Sequence, residues 1–117
     1  MNISEEGQLL RIFIGESDKH DGLSLYEWII RQARQHGMAG ATVLRGIAGF
    51  GAASRIHTTN ILRMSLDLPI IVEIVDTQER IDSFIPIIDT VVKEGLVTVE
   101  KAHIKLYRAN KDKQTNQ

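Results

Sequence analysis

The chain of 117 residues contains no cysteine. Disulfides, thiolate metal sites and a cysteine nucleophile are therefore excluded. Aromatic residues make up only 5%, too few for the stacking surface that single-stranded nucleic acid needs, so no nucleic-acid partner is expected. No run of about 18 apolar residues occurs, and none of the sequence reads as a membrane span. The start, from Met1 to Glu6, is acidic and lacks the apolar core of a signal peptide. A cytoplasmic protein without direct membrane insertion is the expectation.

One absence is local. From Trp28 to Leu66 there is no acid, yet there are five arginines: Arg31, Arg34, Arg45, Arg55 and Arg63. Residues 1–27 carry six acids and two bases, and residues 67–117 nine acids and seven bases. The net charge of −1 thus hides a positive island in the middle third. Such an island favours anions locally but is too small to imply nucleic acid.

What is present reads as one domain with an ordinary core, at 43% hydrophobic and 25% charged residues. Gln8–Gly15 alternates as a strand. Leu25, Trp28, Ile29 and Ala33 recur at helical spacing, with Ser24 and Glu27 placed as a capping box and Gly37 as the stop. Strands follow over Ala41–Ile47 and Pro69–Val75. Asp76 reads as the N-cap of a second helix carrying Ile81, Phe84, Ile85, Ile88, Val91 and Val92, which Pro86 should kink. The last strand spans Val97–Tyr107, and its apolar phase switches near Glu100–Lys101, which predicts a bulge. Residues 1–8 read as an N-terminal extension and residues 108–117 as a disordered polar tail.

The order strand–helix–strand, repeated, predicts an α+β, ferredoxin-like βαββαβ domain over residues 9–107. Its four-stranded antiparallel sheet carries two helices on one face. The other sheet face would present Leu9, Arg11 and Phe13 or Leu10, Ile12 and Ile14. Neither set is polar, so an oligomer is expected to bury it.

The long connection over residues 48–68 is the candidate functional segment, since loops of this length in compact domains are commonly functional. It follows Arg45 and Gly46 and contains Gly49, Phe50, Gly51, Arg55, His57 and Arg63. Glycines let the backbone approach a ligand and turn successive N–H groups toward it. Arginines add bidentate phosphate recognition. The order Gly-x-x-Gly-x-Gly fits neither a Walker loop nor a dinucleotide fingerprint. His57 has no carboxylate within the acid-free stretch to orient it and no nucleophile elbow frames a serine, so no enzyme activity is expected. The alternative is an enzyme acting on a phosphorylated metabolite through His57 and the arginines. Glu16, Asp18, His20 and Asp21 crowd one turn and are read as a solvated turn, with no metal site expected.

Leu10 to Lys19, Gly40 to Gly46, Gly49-Phe50-Gly51, Ser54 to Thr58, Asp67-Leu68-Pro69, Val72 to Asp76 and Glu94 to Thr98 resemble a bacterial and archaeal family of unknown function related to the PII signalling proteins. The resemblance implies a cytoplasmic homotrimer in which residues 48–68 form the signalling T-loop, and a partner protein such as a membrane transporter. It implies an adenine nucleotide (AMP, ADP or ATP) bound between subunits, with Thr42 at the base and the Gly49–Gly51 backbone at the phosphates, and no required cofactor. The chain departs from the PII pattern in four places. The interval from Thr42 to Gly49-Phe50-Gly51 is one residue longer. Ala52-Ala53-Ser54 stands where PII has Arg-Gln-Lys, removing the metal-linked glutamine. The uridylylated tyrosine has no counterpart. The phosphate loop before the last strand is reduced to Lys93-Glu94-Gly95. Arg45, Arg55 and Arg63 are the candidates that replace its contacts.

Overall fold

The computed structural model describes residues 6–51 and 67–110. Strand β1 spans Glu6–Gly15, and a small hairpin of β2 (Lys19–His20) and β3 (Leu23–Ser24) follows. Helix α1 covers Leu25–Gln35, β4 Thr42–Arg45, β5 Pro69–Asp76, α2 Gln78–Asp89 and β6 Leu96–His103. The main sheet has the order β4-β5-β1-β6, and every neighbouring pair is antiparallel. This is the ferredoxin-like α+β fold, with β1 threaded between β5 and β6.

The alternation of β1 and β5 sorts the sheet into two faces. Leu10, Ile12 and Ile14 pair with Ile74, Val72 and Ile70, and all six are buried. They pack with Leu25, Ile29 and Ala33 of α1, Ile81, Phe84 and Ile88 of α2, and Val91 just beyond α2. Each such side chain contributes roughly 1.5–3 kcal/mol by leaving water. The set Leu9, Arg11 and Phe13 therefore faces away from the helices.

Several local expectations change. Ser24 makes no side-chain cap bond, so the capping box does not form. The second cap is Thr77, whose hydroxyl accepts from the Arg80 N–H at 3.3 Å, and not Asp76. Asp76 is wholly buried instead. The turn expected at Glu16, Asp18, His20 and Asp21 leads into the β2–β3 hairpin, turned at Asp21 and Gly22 with φ of 51° and 77°. The bulge in β6 is absent: its register on β1 is unbroken from Glu6 opposite His103 to Phe13 opposite Leu96. The switch in apolar phase has another cause. Val97 and Val99 share the helix-bearing face with Ile12 and Leu10, while Leu96, Thr98, Glu100 and Ala102 share the open face. Part of the expected tail over residues 108–117 and part of the expected N-terminal extension lie outside the described residues, although β1 begins at Glu6, ahead of the expected Gln8.

The open face is largely apolar in one direction. Leu44, Ile71, Phe13 and Leu96 stand opposite one another across all four strands. Beside that row, Arg11 bridges Glu73 at 2.9 Å on one neighbouring strand and Glu100 at 2.8 Å on the other. The hydrogen bond to Glu73 is the main cause that holds the Arg11 guanidinium above its usual pKa. Among the described residues no helix is long and apolar enough to cross a membrane.

Candidate functional site

Two features of the structure meet the sequence candidates, at opposite ends of β4. The first is a cleft of about 320 Å³ at the Thr42 end, on the open face. Its floor is Leu9, Glu73 and Val75, one wall is the stretch Ala39–Thr42, and the other is Ile104, Leu106 and Tyr107. Thr42 is the first residue of β4 and exposed, and it belongs to a lining that is otherwise mostly apolar.

The Ala39–Thr42 wall is positioned by Asp76. Helix α1 closes with paired bonds, Gly37 N–H to the Arg34 carbonyl at 3.1 Å and Met38 N–H to the Ala33 carbonyl at 3.0 Å. The chain then passes the buried Asp76 carboxylate. One of its oxygens accepts from Ala39 N–H at 2.8 Å and the other from Thr77 N–H at 2.7 Å. Arg80 lies 3.9 Å from the same group and donates to the Gly37 carbonyl at 3.2 Å. A buried carboxylate satisfied in this way ties the start of α2 to the approach to β4.

The second feature is the turn at the Arg45 end. Arg45 closes β4, and its guanidinium grips Glu16 with contacts of 2.5 Å and 3.0 Å. The expected phosphate ligand is thus engaged by a carboxylate of the turn after β1. That turn is braced by two acids, one of its own and one from the entry to β5: Asp18 accepts from Gly15 N–H and Asp67 from Ser17 N–H, each at 3.0 Å. Gly46 N–H donates to the Pro69 carbonyl at 2.8 Å, which fixes the exit of β4 against the entry of β5. Gly49 has a φ of 136°, a backbone state that other residues rarely adopt. Phe50 is 63% exposed, and Ile47 is exposed as well. Gly51 has open space around its Cα. Arg55, His57 and Arg63 lie outside the described residues.

The structure therefore brings Arg45, Gly46 and Gly49 together at the root of the long connection, and Thr42 to the cleft. Four residue steps of extended chain, about 13 Å, separate Thr42 from Gly46. Sequence reasoning missed Leu9, Val75, Ala39 and Tyr107 as lining residues. Leu9 and Val75 belong to one of two strand faces that the pattern could not rank, and Tyr107 was read as the last residue of a strand. Among the described residues no group of three His, Asp or Glu side chains is arranged to hold a metal ion.

Comparison with known proteins gives a family and a fold. Residues 7–104 match the model of the DUF190 family, described as an uncharacterised ACR. A UPF0166 protein of Aquifex aeolicus is 35% identical over 97 residues, covering 83% of this chain and 91% of the relative. A UPF0166 protein of Methanocaldococcus jannaschii is 34% identical over 100 residues, covering 85% and 92%. Among solved structures, CPII from Thiomonas intermedia bound to ADP, AMP and acetate superposes with a TM-score of 0.57 at 17% identity, over 86% of this chain and 90% of CPII. CPII bound to ADP and bicarbonate gives a TM-score of 0.55 at 16% identity over the same shares. At this identity the likeness is one of fold.

Proposed function

The chain belongs to the DUF190 family of uncharacterised proteins, and from that premise we propose that it is a PII-like regulatory protein. It binds an adenine nucleotide between copies of itself and uses residues 48–68 to meet a partner protein. The observation that carries this reading is the division of the site. The cleft offers apolar walls and a hydroxyl, suited to a base, and no Lys, Arg or His is among its described lining residues. The turn at the other end of β4 offers Arg45 and the Gly49–Gly51 backbone, suited to phosphates. Each half alone is incomplete. A second copy laid against the apolar row Leu44, Ile71, Phe13 and Leu96 would bury that row and set one copy's cleft beside its neighbour's loop. The ADP and AMP bound to CPII, a protein of the same fold, agree with the choice of ligand class. The assembly expected is a trimer, and the partner is a protein such as a membrane transporter. A nucleotide changes what the loop presents only through differential affinity for two loop conformations.

No catalytic group is assigned. Among the described residues the cleft's lining has one carboxylate, Glu73, and it is paired with Arg11. Isothermal titration with AMP, ADP and ATP, with and without magnesium, tests the reading. The expected outcome is saturable binding without turnover. Heat silence across the panel would remove the nucleotide claim, and hydrolysis of any member would favour an enzyme acting through His57 and the arginines. Arg55→Ala is expected to weaken ADP more than AMP while leaving the melting temperature nearly unchanged, because the effect belongs to the phosphates.

A further inference from the structure

The cleft has a wall supplied by the chain beyond its last strand. β6 ends at His103, but the residues that follow stay on the molecule. Ile104 lies back over Gly7 so closely that a side chain at Gly7 would stand 2.6 Å from Ile104 Cδ1. Three residues on, the Tyr107 hydroxyl donates to the Ala39 carbonyl at 2.9 Å, joining positions 68 apart in sequence. Ala39 is held from its other side as well, since its N–H donates to the buried Asp76 carboxylate at 2.8 Å. Ala39 is thus a fixed post anchored in the core. Tyr107, 38% exposed, reaches that post through its phenol hydroxyl.

The chemistry of the lining says what such a strap would hold. Leu9, Val75, Ile104 and Leu106 make the cleft apolar, and Glu73, the one carboxylate among its described lining residues, is paired with Arg11. None of the described lining residues is a Lys, Arg or His that would meet a phosphate. An uncharged flat ring meets an apolar floor, a hydroxyl at Thr42 and the face or edge of a phenol. We propose that Tyr107 is the strap that retains the base end of a nucleotide in this cleft, its ring forming one wall and its bond to Ala39 holding that wall closed. The inference rests on the nucleotide reading above and adds to it the residue that grips the base.

Wild type, Tyr107→Phe and Tyr107→Ala are compared by calorimetry and by stopped-flow displacement, using adenosine, AMP, ADP and pyrophosphate. Tyr107→Phe keeps the ring and loses the bond. It is expected to speed dissociation of adenosine, AMP and ADP by one common factor, roughly two- to tenfold, the range a single hydrogen bond supplies. Pyrophosphate binding is expected to be unaltered. Tyr107→Ala, lacking the wall too, is expected to weaken the three ring ligands further. Wild-type binding of ADP with no change in either variant overturns the strap and leaves the nucleotide reading standing. Tighter binding by Tyr107→Phe also overturns it, because the phenol bond would then exclude the ligand. An equal loss of pyrophosphate overturns the assignment of Tyr107 to the base. Failure of the wild type to bind any of the four overturns both readings.

Discussion

Asp76 carries more of the architecture than its exposed neighbours. Its two oxygens satisfy two backbone N–H groups on different elements, and the side chain is fully out of water. Replacing it by alanine leaves both donors without that partner, at about 1–3 kcal/mol for each. Asp76→Ala is therefore expected to lower the denaturant midpoint by the equivalent of at least about 2 kcal/mol. Through Ala39 it should also weaken ligand binding at the cleft. Glu16 is the opposite case. Its pair with Arg45 lies near the surface, with Arg45 57% exposed, and such pairs add about 0–1 kcal/mol. If Arg45 serves phosphates, Glu16 competes with them. Glu16→Gln is expected to tighten ADP several-fold in calorimetry with little change in melting temperature, and weaker binding would mean that Glu16 organises the turn. These residue roles were hard to read beforehand for a physical reason. Asp76 and Thr77 are both good cap residues, and only the three-dimensional path of the chain decides which one is drawn into the core.

At the scale of elements, periodicity was informative wherever one face is buried. The stripes on α1 and α2 and the alternation in β1 and β5 follow from burial against a single core, so those elements and the ferredoxin-like order were legible from residues such as Leu25, Ile29, Ile81 and Phe84. Phe84→Ala is expected to cost about 3–5 kcal/mol in equilibrium unfolding, as for other buried phenylalanines. The pattern failed at the sheet edges. Val97 and Val99 lie on the helix-bearing face yet remain 39% and 41% exposed. Apolar residues on both faces of an edge strand mimic a change of phase, which is why β6 suggested a bulge that its unbroken register does not contain. The cleft was illegible for a related cause. Its lining comes from strands β1, β4 and β5, the α1–β4 connection and the chain after β6, and no local motif marks residues that converge only in the fold. The glycine-bearing turn, by contrast, is contiguous in sequence and could be located from composition. Gly49→Val forces a β-branched residue into a φ of 136°. It is expected to impair the turn, and with it phosphate-dependent binding, while the core and its cooperative unfolding persist.

At the scale of the molecule, the open sheet face sets the agenda. Phe13 and Ile71 are half-buried, and Leu44 and Leu96 are 45% and 55% exposed in one continuous row. Leu96→Glu places a charge in that row and is expected to shift sedimentation from trimer toward monomer, with the monomer retaining its helical circular dichroism. The central claim, that each nucleotide site combines one copy's cleft with another copy's loop, has its most direct test in complementation. Thr42→Glu should disable the cleft, and Gly49→Val the loop. Each variant alone is expected to bind ADP poorly. Unfolded together and reassembled, the two are expected to recover a fraction of sites with wild-type affinity, because mixed assemblies contain junctions with both halves intact. A mixture that binds no more ADP than the two variants measured separately would contradict the account.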